Sequence, residues 1–208
     1  MSERREVALE FEYDSLDSYQ LLKTLFDKAN YAFLRNEAEL IDSEVAERTL
    51  CGAFKTHFEK LASNAGIKGY YVDVEYNRNN GQIKTILDEN MEIISIQCDL
   101  ILHSRGHNVK QDNLVALEMK KSYRDEESKN SDRMRLRALT KSSYNNDIWS
   151  YDGTSLPKRV CRYILGVYYE VDVGNRFVLL EYYKGGEMVG KKKIFYGGRI
   201  ASRFIKKM

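Results

Sequence analysis

Asp99, Glu118 and Lys120 are charged side chains set at the ends of two apolar runs, CDLILH from Cys98 and NLVALEMKK from Asn113. The runs read as β-strands joined by the polar stretch SRGHNVKQD, which carries Gly and Asn breakers. Strand side chains alternate faces, so Glu118 and Lys120 leave one side of the second run, and Met119, Leu117 and Val115 leave the other. Charges in such surroundings are paired or bind a metal. If Asp99 lies beside them, two carboxylates share a small volume with one ammonium, and repulsion raises a carboxyl pKa unless a cation intervenes. Hard oxygen donors of this kind suit Mg2+ or Mn2+. The lysine can orient or help deprotonate an attacking water, or offset the charge of a phosphate.

An Asp followed at a moderate interval by Glu-x-Lys at a strand end resembles the PD-(D/E)XK nuclease superfamily, with Asp99, Glu118 and Lys120 as its motif residues. AERTLCGAF from Ala46, VDVEYNR from Val72 and DRMRLRALT from Asp132 resemble the matching blocks of a group of small members of that superfamily, so the likeness spans roughly residues 44–170. Cys98 stands where the motif has a proline, which removes no chemical group. The resemblance implies divalent-metal-dependent hydrolysis of a nucleic-acid phosphodiester, DNA in the first instance. Asp99, Glu118 and the Met119 carbonyl would hold Mg2+ or Mn2+, Glu47 would bind that ion or a second one through water, and Lys120 would position the nucleophilic water. Arg78, Lys121, Arg133 and Arg137 are candidate nucleic-acid contacts. Each has a plainer reading beside that one. Arg78 can pair with Glu75, helix arginines usually face water, and Lys121 can replace Lys120 if a β-bulge shifts the strand.

The elements that must position these residues follow from periodicity. Residues 1–14 alternate loosely and suggest an edge strand or extended arm. Leu16, Tyr19, Leu22, Phe26, Ala29 and Phe33 recur at helical spacing behind the cap candidates Asp14 and Ser15. A second helix is expected from Asp42 or Ser43 to Asn64, with Leu50, Phe54, Phe58 and Leu61 inward; its phase points Glu47 into that stripe. The plainer reading of Glu47 is a structural ion pair, with Arg78 for instance, or a carboxylate at the end of the stripe reaching water. GYYVDVEYN reads as a strand, and MEIISIQCDLILH as one long strand or a bent pair. KSYRDEESKNSD looks flexible, and a helix is expected from Asp132 with Met134, Leu136, Ala138 or Leu139 inward and Arg133, Arg135, Arg137 and Lys141 mostly outward. Ser142–Arg159 is rich in breakers and offers Tyr144, Trp149 and Tyr151 for stacking on bases or for pinning the loop. Three strands follow, CRYILGVYYEV, NRFVLLEYY and KKKIFY, and then the basic tail GGRIASRFIKKM.

The expected fold class is therefore α/β: a restriction-endonuclease-like core in the order α, β, β, β, α, β, with a central mixed sheet flanked by helices and an antiparallel C-terminal extension. The length of 208 residues suits one domain: residues 1–40 as arm and helix, 41–170 as core, and 171–208 as hairpin and basic tail. Net charge is only +2, yet Lys184–Met208 holds eight basic residues against the single acid Glu187, an asymmetry that suits a polyanion or a solvated face. Cys51, Cys98 and Cys161 are scattered and odd in number, which speaks against a disulfide framework or zinc site. His103 and His107 flank a Gly turn and cannot share a helical face. Neither GxxxxGK nor GxSxG occurs, so ATP-driven and serine-hydrolase readings lack support. With no membrane-length apolar run and no signal-like N-terminus, a cytoplasmic protein is expected. Two rival readings stay open: a non-catalytic nucleic-acid-binding or protein-interaction module, and a structure-selective resolvase of the Holliday-junction type, which would require a homodimer.

Overall fold

Ser15 ends the extended arm and starts a helix: its hydroxyl accepts the N–H of Ser18 at 3.2 Å, an N-cap worth about 1 kcal/mol. The structure, a computed structural model, describes residues 9–76, 97–142 and 160–197, with the strand segments Arg78–Asn79, Gln82–Ile83, Thr85–Leu87 and Ile93–Ser95 between them. Among the described residues the elements in chain order are α1 (Leu16–Asn36), α2 (Ala38–Asp42), α3 (Glu47–Asn64), β1 (Tyr71–Val74), β2 (Arg78–Asn79), β3 (Gln82–Ile83), β4 (Thr85–Leu87), β5 (Ile93–Ser95), β6 (Leu100–His103), β7 (Asn113–Lys121), α4 (Glu126–Thr140), β8 (Leu165–Asp172), β9 (Phe177–Lys184) and β10 (Glu187–Phe195).

The chain is α/β. A six-stranded mixed sheet runs β1-β6-β7-β8-β9-β10 among the described residues, with β7 and β8 parallel across the α4 connection and the other neighbours antiparallel. Helices α1 and α3 cover one face. Phe26 and Phe54 meet there with ring centroids 5.0 Å apart, and Phe54 reaches Tyr169 of β8 at 6.1 Å. Truncating a buried ring such as Phe54 to alanine costs about 3–5 kcal/mol. Helix α4 covers the other face, packing Leu136, Ala138 and Leu139 with Ile101, Ala116 and Tyr168. It can approach closely because position 166 is glycine: a Cβ there would lie 2.9 Å from Thr140 Cγ2 and 3.1 Å from Tyr183 Cβ.

Several boundaries differ from those the sequence suggests. The Ser43 hydroxyl donates to the Leu40 carbonyl at 2.7 Å and closes α2, Glu44 turns the chain at φ 56, and α3 starts only at Glu47. Helix α4 starts well before Asp132, because the Asp125 carboxylate accepts the Ser128 N–H at 2.7 Å and Glu126 and Glu127 favour a helix N-terminus. Met134, expected inward, is exposed, because Asp132, Leu136 and Leu139 set the buried stripe. The stretch MEIISIQCDLILH divides: β5 pairs with β4, whereas β6 joins the main sheet. Residues 9–14 form an arm without strand pairing that buries Phe11 and Tyr13. The Tyr144, Trp149 and Tyr151 loop, residues 1–8 and the tail from 198 lie outside the described residues.

Candidate active site

Register decides whether the sequence motif can converge. Leu100 faces Leu117 and Ile101 faces Ala116, and the paired strand ends there: Asp99 sits in the bend just before β6, next to the end of β7 that carries Glu118. Ala116 belongs to the α4-side core, which puts Glu118 and Lys120 of the same strand on that side as well, and the charge of Asp99 acts on the Glu118 carboxyl.

Asp99 stitches three strands at the point where β6 begins. Its Oδ2 accepts the Met119 N–H at 2.7 Å, and its carbonyl accepts the Glu75 N–H at 3.2 Å. Burial lifts its carboxyl pKa to about 6; the Met119 N–H and the Lys120 charge oppose the shift, whereas Asp132 and Glu47 add to it. Glu118 is 1% exposed and accepts Arg135 Nε at 3.1 Å through Oε1. Burial pushes its carboxyl well above the ordinary range; the Arg135 charge opposes this, and Asp99 and Asp132 reinforce it. Lys120 Nζ lies 3.0 Å from Asp132 Oδ2. Burial works against the Lys120 charge, but the bond and charge of Asp132, helped by Asp99 and Glu47, outweigh it and leave the pKa raised. Lys120 therefore stands as an ammonium at neutral pH. It can donate to a water or a phosphate oxygen, and it is no base.

Glu47, the first residue of α3, reaches the same strand end from the opposite layer. Its Oε1 accepts the Lys121 N–H at 2.9 Å and Arg124 Nε at 3.1 Å. Where β6 stops, the carboxylates of Asp99 and Glu47 thus take the places of ladder acceptors for Met119 and Lys121. The Met119 side chain turns to the α3 side, where Cys51 Sγ lies 3.7 Å from its Sδ.

The other expected contacts are held elsewhere. The β7–β8 register runs unbroken through Lys121, so no bulge swaps it for Lys120. Lys121 faces the α3 layer, 2% exposed, and its Nζ makes no hydrogen bond among the described residues; burial lowers its pKa against the pull of Glu44 and Glu47. Arg133 pairs with Glu181 at 2.9 Å and lies over the Tyr168 ring, and Arg137 pairs with Glu187 at 2.8 Å. Glu75 pairs with Arg48 at 3.1 Å, and the Arg78 side chain lies outside the described residues.

Three participants were not expected from the sequence: Asp132, Arg135 and Arg124. Arg135, expected outward, turns back to bind both Glu118 and Asp132. The signal was Asp125-Glu126-Glu127-Ser128, a helix start; a helix begun there carries Asp132 and Arg135 one turn apart on the sheet-facing side.

Among the described residues no group of three or more His, Cys, Asp or Glu side chains is arranged to hold a metal ion. Mg2+, however, is commonly bound through one or two carboxylates, with water completing its shell. Asp99 and Glu118 supply that number of hard donors close enough for the charge of one to act on the other, and the upward shift of both carboxyls is what a nearby divalent cation would relieve. The donor set fits Mg2+ or Mn2+. No protein-family model, curated protein or solved structure matches the chain.

Proposed function

We propose that this chain is a divalent-metal-dependent nuclease that hydrolyses phosphodiester bonds, in the first instance a DNA endonuclease, on a restriction-endonuclease-like core of the PD-(D/E)XK kind. The observation that supports this most is the gathering of Asp99, Glu118 and Lys120 at one end of β7, where Asp99 accepts the Met119 N–H and its charge acts on Glu118 while that of Lys120 acts on Asp99. The order α3, β1, β6, β7, α4, β8 also accords with that core. Asp99, Glu118 and the Met119 carbonyl would hold Mg2+ or Mn2+, with Glu47 reaching it through water. When bound, the ion supplies a water of lowered pKa and a Lewis acid for the phosphate. Lys120, held as an ammonium by Asp132, donates to the attacking water or to a phosphate oxygen and fixes its direction. Asp99 and Glu47 fix the end of β7 against which the substrate phosphate would lie.

A second reading, a non-catalytic nucleic-acid-binding or interaction module on the same fold, draws on the closed Glu118–Arg135 pair. Incubation with linear, nicked, branched and single-stranded DNA in Mg2+, Mn2+ or EDTA separates the two. Metal-dependent strand breaks are expected; metal-indifferent binding without breaks would favour the module. Cleavage confined to branched DNA would point to a resolvase and a homodimer. A cytoplasmic setting belongs to the same proposal: the cysteines are free and buried, and among the described residues no helix is long and apolar enough to cross a membrane.

A further inference from the structure

Glu118 is closed by a cation already in the chain. Arg135 Nε lies 3.1 Å from its Oε1, and the same guanidinium binds Asp132 and, through Nη1, donates to Ser131 Oγ at 3.1 Å. Glu118 is 1% exposed, whereas the Arg135 side chain keeps 23% of its surface open, so the guanidinium approaches from the solvent side. It can swing back to water by side-chain torsions, leaving Leu136 and Leu139 packed against the sheet. Asp132 keeps Lys120 as a partner when this happens.

We propose that Arg135 is a resident counter-cation: it occupies Glu118 in the metal-free protein, must leave it when a divalent ion binds, and so sets the metal affinity of the site. This rests on the metal-dependent reading above. A buried carboxylate needs a compensating charge. Arg135 supplies one in a form that can be exchanged, because a guanidinium is weakly hydrated and permanently charged. The exchange is between two cations at one carboxylate. Lowering the affinity in this way keeps the site closed until the ion is abundant.

The test is a direct titration of Mn2+ at pH 8, followed by calorimetry, on the full chain and on Arg135→Met, which keeps the stem and removes the fork. The variant is expected to bind Mn2+ about tenfold more tightly, since the competing charged hydrogen bond is gone. In the unaltered protein, Mg2+ should move one arginine Nε–Hε resonance in a nitrogen-proton NMR spectrum toward the position of a solvated guanidinium. That resonance should be the one missing from Arg135→Met, or displaced in Arg135→Lys if the methionine variant does not fold. If the parent binds Mn2+ but the variant binds no tighter, or saturating Mg2+ leaves that resonance in place, the exchange is wrong and the nuclease reading stands. If neither protein binds Mn2+, both fall together.

Discussion

Asp99→Asn should make the protein more stable at pH 8, although it removes a residue of the proposed site. The Asp99 carboxyl is lifted from 3.8 to about 6, chiefly by burial. An acid whose folded pKa exceeds its unfolded value favours folding while protonated. That contribution is complete below pH 4 and is lost as pH rises through about 6. A shift of about 2 pH units at about 1.36 kcal/mol each makes the ionised group cost the fold about 3 kcal/mol at pH 8. Asparagine carries no charge and can still accept the Met119 N–H through its amide oxygen. Urea unfolding followed by circular dichroism at pH 4, 6 and 8 should show the variant gaining up to about 3 kcal/mol on the parent at pH 8 and almost nothing at pH 4. Saturating Mg2+, at about a hundred times its dissociation constant, should restore about 2.7 kcal/mol to the parent alone. A difference between the two proteins that does not change with pH would refute the reasoning, as would a variant weaker than the parent at pH 8.

Lys120→Met should lower metal-dependent DNA cleavage at least about 100-fold in gel assays. Its Mn2+ affinity, measured by calorimetry, should not weaken, because Lys120 is a donor and no metal ligand. Asp125→Ala removes the acceptor of the Ser128 N–H and should cost about 1 kcal/mol in urea unfolding, with amide exchange in the first turn of α4 rising most. Gly166→Val sets a branched side chain against Thr140 and Tyr183 beneath α4; an expected loss of about 1–3 kcal/mol would appear as a lower thermal midpoint, and an unchanged midpoint would mean that α4 is not held close.

Residues with short-range signatures were legible in the chain. The apolar period of α1, the alternation in β7 and the turns before β9 and β10 each rest on neighbours a few positions away. The pairing of β6 with β7 followed from two apolar runs and a polar return, although the connection of residues 104–112 is long and folds on itself through Ser104 and Asp112. Less legible was anything decided by two distant groups at once. Whether α3 begins at Ser43 or Glu47 depends on α2 claiming the Ser43 hydroxyl. The inward turn of Arg135 depends on a carboxylate of β7 that its own helix does not reveal. Charged residues on a helix look solvated until an acidic strand is laid beneath them, as Glu118, Glu170 and Glu181 are under Arg135, Lys129 and Arg133.

The pairing of β6 with β7 contains a single irregularity, between Leu102 and His103, and runs regularly from there to Leu100 facing Leu117. Were β7 to slip by one place, Glu118 and Lys120 would turn into the phenylalanine layer, and Met119 and Lys121 would face α4. Apolar burial alone discriminates weakly between such alignments, since β7 presents Leu, Val, Ala and Met on both sides. Two stranded charges do not, at several kcal/mol apiece. Asp132 and Arg135 accept their partners only when the strand is in phase. The acids and amines at this strand end thus act as a key in a keyway during folding, and chains neutralised at all four positions should reach a sheet of mixed alignment before they lose the sheet itself.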